Sequence, residues 1–184
     1  MKNPITSLVE SIDSNSTSKE IQKIKIDSIE TVKDLLATIT DPEIPVLNIV
    51  ELGILRNVEL INEQYVVTIT PTYTGCPAMG MIEAQIKQVL DLQQINYKIV
   101  TSLESIWTTE WMTEEAKMKL KNYGIAPPLI QKRIQKLFED QGIIPCPLCD
   151  SKNTKLISEF SSTACKSMYK CHDCLEPFDY FKCH

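Results

Sequence analysis

At 184 residues, with 43% apolar and 23% charged side chains, the chain has room for one full core or for one domain plus a small module, and its composition is that of an ordinary soluble globular protein. A formal net charge of -5 and a pI near 5.1 disfavour nucleic-acid binding, which needs a broad phosphate-binding surface. No run approaches the roughly 18 apolar residues of a membrane span and Met1 to Leu8 has no long apolar signal core, so the expected setting is the cytoplasm, with no membrane partner.

Residues 1–27 begin with the apolar positions Ile5, Leu8, Val9 and Ile12 and pass through the polar Ser14 to Ser18, which reads as a flexible N-terminal arm. From Ser28 the period becomes helical. Ile29, Val32, Leu35, Leu36 and Ile39 share one face, and Asp27 with Glu30 has the spacing of a capping box. Proline disfavours the helical conformation in the residue before it, so the helix should stop ahead of Asp41-Pro42. Asp41-Pro-Glu-Ile-Pro45 is then a rigid acidic loop, read either as a solvated turn or as a mount holding Asp41 and Glu43 at a site.

Two runs of strand character, Ile54 to Ile61 and Tyr65 to Thr72, are separated only by a short polar linker and predict a hairpin. Met79, Ile82, Ile86, Val89 and Leu90 mark an amphipathic helix with Pro77 suited to its first turn, and Tyr97 to Leu103 adds a strand that completes a strand-helix-strand unit. A further helix is expected from Thr113, with Glu114 and Glu115 in its first turn, lysines in its later turns and Gly124 after it. Ala126-Pro-Pro128 breaks that helix, Leu129 to Phe138 suggests one more, and Gly142 with Pro145 marks a boundary. The fold class expected is α+β: a small mixed α/β domain over 28–142, followed by a ribbon-like module over 143–184.

Six of the seven cysteines lie after residue 145, and four of them form two CxxC knuckles, Cys146-Pro-Leu-Cys149 and Cys171-His-Asp-Cys174. Two residues between thiols let both sulfurs face one ion, and two such knuckles complete a tetrahedral four-thiolate site. A reducing compartment seldom keeps structural disulfides, which favours metal over cystine. Zinc is the expected occupant, an iron–sulfur cluster the alternative, and with every coordination position filled by protein the role is structural. A metal would replace the core that some 40 residues cannot build alone.

Cys76 is the lone cysteine of the first domain, at a strand-to-helix junction. A helix N-terminus stabilises thiolate, which would suit attack or metal binding, while a small buried filler is an equal reading of the same position. Cys165, beside Lys166, is a candidate ligand for a second site; Cys183 reads as a spectator and His172 as an exposed loop residue. A nucleophilic role for Cys76 would need a base, and both histidines, His172 and His184, lie in the tail.

Taken in order, Asp41-Pro-Glu-Ile-Pro45, Glu51-Leu-Gly-Ile54, Thr72-Tyr-Thr-Gly-Cys-Pro-Ala78, Trp107-Thr-Thr-Glu-Trp111, Tyr123-Gly-Ile-Ala-Pro-Pro128, Ser162-Thr-Ala-Cys-Lys166 and Glu176 to Lys182 resemble the PaaD family of phenylacetate-degradation proteins over about residues 28 to 184. Ser161 stands where that family commonly has glycine. The first domain resembles the iron–sulfur assembly family that includes the SufT-like proteins, with its Asp-Pro-Glu loop at Asp41 to Glu43 and its reactive cysteine at Cys76. The resemblance implies a non-enzymatic factor that matures the metal centres of the multicomponent phenylacetyl-CoA epoxidase, chiefly its iron–sulfur reductase subunit. It implies transient iron or cluster binding at Cys76, with Asp41, Glu43 and Cys165 around it, and a structural zinc at Cys146, Cys149, Cys171 and Cys174. One cysteine cannot fill a cluster's usual four positions, so further thiols would come from a partner, such as a general iron–sulfur assembly protein, or from a homodimer. The alternative is a structural subunit that docks on the epoxidase and carries only a zinc staple.

Overall fold

The computed structural model describes residues 28–104, 106–129 and 143–182. The expected arm, the helix over Leu129 to Phe138 from residue 130 onward, the boundary at Gly142, and Cys183 with His184 lie outside the described residues.

Helix α1 spans Ile29–Leu36 and buries Val32 and Leu36. Its cap is Ser28, whose hydroxyl accepts from the Thr31 amide at 3.1 Å, one residue later than the expected capping box. Glu30 instead pairs with Lys33 at 2.9 Å. The helix ends four residues short of Asp41, because the chain there turns to bridge: Thr40 pairs with Asn48, and the Ile49 amide donates to the Ile39 carbonyl at 3.0 Å.

Strands β1 (Leu55–Ile61) and β2 (Gln64–Ile69) form the expected antiparallel hairpin. Asn62 and Glu63 make its turn at φ +48° and +61°, the two positive values that a tight hairpin matched to strand twist requires. Helix α2 (Ala78–Leu92) buries Ala78, Ile82, Ile86 and Leu90, a stripe at four-residue spacing, and returns the chain to β3 (Tyr97–Thr101), which runs parallel to β2. The sheet order is β1-β2-β3. A short 3-10 turn at Thr109–Trp111 leads to α3 (Glu114–Tyr123), capped by the Thr113 hydroxyl and closed by Gly124 at φ +92°, a left-handed position that glycine takes without penalty.

The second sheet contains β4 (Ile125–Ala126), β5 (Thr154–Ser158), β6 (Lys166–Cys171) and β7 (Pro177–Phe181), in the order β4-β7-β6-β5. One sheet thus draws strands from both sides of residue 142. Two buried clusters lie on either side of this join. The larger packs α1, α2, α3 and the first sheet together, and takes in Ile125, Cys165 and Phe181. The smaller comprises Ala126, Ile144, Cys146, Tyr169, Cys171 and Phe178. Trp107, 2% exposed, sits in the larger cluster, donates from its indole NH to the Leu52 carbonyl at 2.8 Å, and meets the Phe181 ring edge-on. Among the described residues no helix is long and apolar enough to cross a membrane.

Candidate functional site: two thiol clusters joined by one strand

The four knuckle cysteines converge. Their sulfur atoms all lie within 4.8 Å of one another, with Cys146 to Cys174 at 3.7 Å and Cys149 to Cys171 at 3.6 Å. Four thiolates at the usual zinc–sulfur distance form a tetrahedron with edges of about 3.8 Å, which the Cys146–Cys174 and Cys149–Cys171 separations match, so this donor set suits one ion. The Cys174 amide donates to Cys171 Sγ at 3.5 Å, and with other local contacts it draws the Cys171 thiol down to about 6. Asp173 ties the two knuckles together by accepting from Ser151 Oγ at 2.5 Å and from Asn153 Nδ2 at 2.8 Å, hydrogen bonds that hold its carboxyl below the usual range. Cys146 and Cys171 are buried in the smaller cluster, while His172 is exposed and its backbone amide donates to the Asn153 carbonyl. Among the described residues, no other set of three or more histidine, cysteine or acidic side chains brings its ligand atoms this close.

The second cluster is built from three separate stretches of chain. In the acidic loop, the Asp41 Oδ1 atom accepts from the amides of Glu43 and Ile44, each at 2.8 Å. Asp41 is thereby spent on holding the loop, and burial raises its pKa above 3.8 despite those amides and the field of Lys166. The loop so pinned presents Glu43, half-buried, to Cys165: Sγ to Oε2 is 3.8 Å, across 122 residues of chain. Cys165 is 4% exposed within the larger core, and its sulfur also meets Thr163 Oγ1 at 3.1 Å.

Cys76 lies within electrostatic reach of Glu43 and Asp41. A tight turn, in which the Cys76 amide donates to the Tyr73 carbonyl at 3.2 Å, carries the chain from β2 into α2 and sets Gly75 at φ +84°, so glycine is needed there. The turn places the Tyr73 phenol against the Cys76 thiol, within the electrostatic reach of Cys165 and Glu43 as well, and burial with these neighbours pushes Tyr73 to about 12. The helix N-terminus does act on Cys76, through the Ala78 amide, which lowers the pKa of the thiol. Burial pushes the Cys76 thiol up and outweighs the Ala78 amide, and Glu43 and Asp41 add to the rise. Burial likewise lifts Cys165 to about 11; Thr163 and Lys166 pull the other way, but Glu43 and Asp41 reinforce it. The Lys166 ammonium, itself buried, also pairs with Asp179 at 3.6 Å, whose other oxygen accepts from Ser161 Oγ at 2.5 Å.

Reading the sequence missed Tyr73, Asp173 and Asp179. The first was signalled by a Tyr-x-Gly-Cys turn and the second by its place inside a knuckle; Asp179 carried no local mark, since its partners are 13 and 18 residues away.

An α/β domain of this topology with a four-cysteine ribbon defines a two-module class: an iron–sulfur cluster assembly protein domain, matched over residues 29–95, joined to a PaaD zinc beta ribbon domain, matched over residues 131–182. The chain is 46% identical over 150 residues to an Escherichia coli protein whose name proposes it as one of the subunits of 1,2-phenylacetyl-CoA epoxidase, covering 81% of this chain and 89% of that one. It belongs to the PaaD family. It is also 34% identical to an Fe-S protein maturation auxiliary factor of Porphyromonas gingivalis, over 50% of this chain and 89% of that protein. Among solved structures, a domain of unknown function from Bacillus anthracis is 29% identical with a TM-score of 0.46, covering 50% of this chain and 90% of that one.

Proposed function

We propose that this protein is a maturation factor and not an enzyme, receiving iron or a labile iron–sulfur cluster as cargo at Cys76 and delivering it to the phenylacetyl-CoA epoxidase system, with the iron–sulfur reductase as client. The observation that carries this reading is that two thiols from distant parts of the chain, Cys76 and Cys165, both lie in the field of Glu43, and Cys165 Sγ is 3.8 Å from its Oε2. Both thiols are held protonated by burial and by acidic neighbours. The same negative field attracts a cation, and binding iron would expel the thiol protons. With two thiols near Glu43 among the described residues, Cys76 and Cys165, the remaining ligands of a cluster would come from an assembly partner, a client or a second copy. The names of the two relatives, one an epoxidase subunit and one a maturation factor, support the pairing of client and activity.

In the ribbon, zinc is the proposed occupant, held by Cys146, Cys149, Cys171 and Cys174; it supplies a fixed tetrahedral crosslink and no chemistry toward cargo. A reducing cytoplasm suits a protein with this many free thiols.

The test is anaerobic reconstitution with ferrous iron and sulfide of the wild type, Cys76→Ala and Cys165→Ala, with metal counted per chain. Loss of iron in Cys76→Ala and a partial loss in Cys165→Ala, with zinc near one per chain throughout, is the expected outcome. Equal iron in wild type and Cys76→Ala refutes the site. The name of the Escherichia coli relative, which makes it part of the epoxidase, favours a second reading, a docking component of that complex. Co-purification with active epoxidase at fixed stoichiometry would support that reading over a factor that acts substoichiometrically.

A further inference from the structure

The four-cysteine site and the second thiol stand at opposite ends of one strand. Strand β6 ends at Cys171, a knuckle ligand, and begins at Lys166, directly after Cys165. The turn joining β6 to β7 is the second knuckle itself: Lys170 pairs with Pro177, and the Cys171 amide donates to the Glu176 carbonyl at 3.0 Å. At the far end of the same ladder Lys166 pairs with Phe181, and one bond beyond that pair the Lys182 amide donates to the Cys165 carbonyl at 2.9 Å. The backbone of Cys165 is therefore held by a ladder whose register is set in the turn where Cys171 and Cys174 reside.

The two strands of that ladder are anchored unequally. Strand β7 is independently fixed to the first domain, by pairing with β4 and by Phe181 in the larger core against Trp107. Strand β6 leans on β5 and, at its knuckle end, on the six-residue smaller cluster, to which its buried Tyr169 and Cys171 belong; at its other end Lys166 and Ser167 are also buried, the Lys166 ammonium pairs with Asp179 of β7, and Cys165 packs in the larger core. Two of those six residues, Cys146 and Cys171, are metal ligands, so without the ion that cluster would have to hold two free thiols at its centre. A hairpin whose turn is opened loses the element that specifies its register.

We propose that the loaded four-cysteine site is the positioning element for Cys165: by closing the β6–β7 turn it keeps β6 in register on the anchored β7, and so keeps the Cys165 thiol against Glu43. The inference rests on the reading of Cys165 as the second cargo thiol. It gives the ribbon a part in cargo binding beyond stapling its own fold, and it makes readiness of the thiol cluster depend on occupancy of a site at the other end of a strand.

The experiment uses the full chain under anaerobic, reducing conditions, with zinc loaded or stripped by a chelator, and with Cys149→Ser as a second route to the metal-free state. N-ethylmaleimide labelling is mapped cysteine by cysteine by mass spectrometry, and amide exchange is followed along α2. In the zinc-loaded chain Cys165, 4% exposed, should label slowly. Stripping zinc should raise its labelling rate by about tenfold or more, while α2 amides stay protected, and added zinc should restore slow labelling to the stripped wild type. Labelling of Cys165 within about twofold of the loaded rate, while the knuckle thiols themselves react, overturns the proposal. Loss of protection throughout α2 overturns it equally, since the metal would then hold up the whole chain and not Cys165 in particular. Iron binding is not the readout. A wild type that takes up no iron sinks the maturation reading alone, and a Cys165 that stays protected without zinc sinks this inference alone.

Discussion

Replacing Phe181 by alanine should destabilise the first domain, although Phe181 is carried by the last strand of the ribbon. The ring is 1% exposed and its centroid lies 5.9 Å from that of Trp107, at 87°. Deleting a buried phenyl group costs about 3–5 kcal/mol, through lost transfer energy and the cavity left behind. The edge-to-face pair accounts for roughly 0.5–1.5 kcal/mol of that total. In a chain of this size each kcal/mol lowers Tm by about 2–4 °C, so the expected fall is about 6–20 °C. The assay is thermal and urea unfolding of the zinc-loaded protein followed by tryptophan fluorescence, which reports on the core around Trp107, together with far-UV circular dichroism. Phe181→Leu, which keeps most of the volume, should recover more than half of the loss. A loss below about 1 kcal/mol, or an unchanged tryptophan transition, would refute the claim that the ribbon completes the first core.

Three further outcomes follow from single side chains. Glu63→Gly should stabilise the protein by about 0.5–1 kcal/mol in urea unfolding, because Glu63 sits at φ +61° beside Asn62 and Asn-Gly is the preferred pair for this turn; a loss of stability would contradict the turn assignment. Asp173→Ala should weaken zinc affinity about tenfold or more, read by competition with a chromophoric chelator, since Asp173 holds Ser151 and Asn153 of the first knuckle's loop to the second knuckle; unchanged affinity would make these contacts incidental. Asp41 has a folded pKa raised above 3.8 by burial, so the folded state binds the proton more tightly than the unfolded chain. Its contribution is therefore fully present below 3.8 and is lost as pH rises through the raised value, so wild type should gain stability relative to Asp41→Asn as pH falls from neutral toward 3.8. An opposite slope in paired urea titrations would show that the loop amides, and not burial, dominate.

Much of the first domain was legible because its signals are short-range. The stripe on α2 at Ile82, Ile86 and Leu90, the hairpin around Asn62-Glu63, and the Thr113 and Gly124 caps of α3 each depend on neighbours within a few residues. The misses have the same cause in reverse. The early end of α1 comes from the Thr40–Asn48 bridge, and β4 is a strand only because β7 lies beside it: two residues, Ile125 and Ala126, carry no period to read. The two readings of Cys76 stayed open in the sequence because a helix N-terminus is visible there, whereas burial and the charges of Glu43 and Asp41 around it are not.

The sequence by itself determined the four-cysteine site, because a CxxC knuckle aims both of its sulfurs through local geometry and needs only a second knuckle brought alongside. It also determined that Cys76 would stand at the mouth of α2, since Gly75 and Pro77 on either side dictate the turn. Only the tertiary structure decided that Cys165 joins the first core and meets Glu43. That contact spans 122 residues and depends on Phe181 packing against Trp107 and on β7 pairing with β4, long-range burial that leaves no pattern in either segment alone.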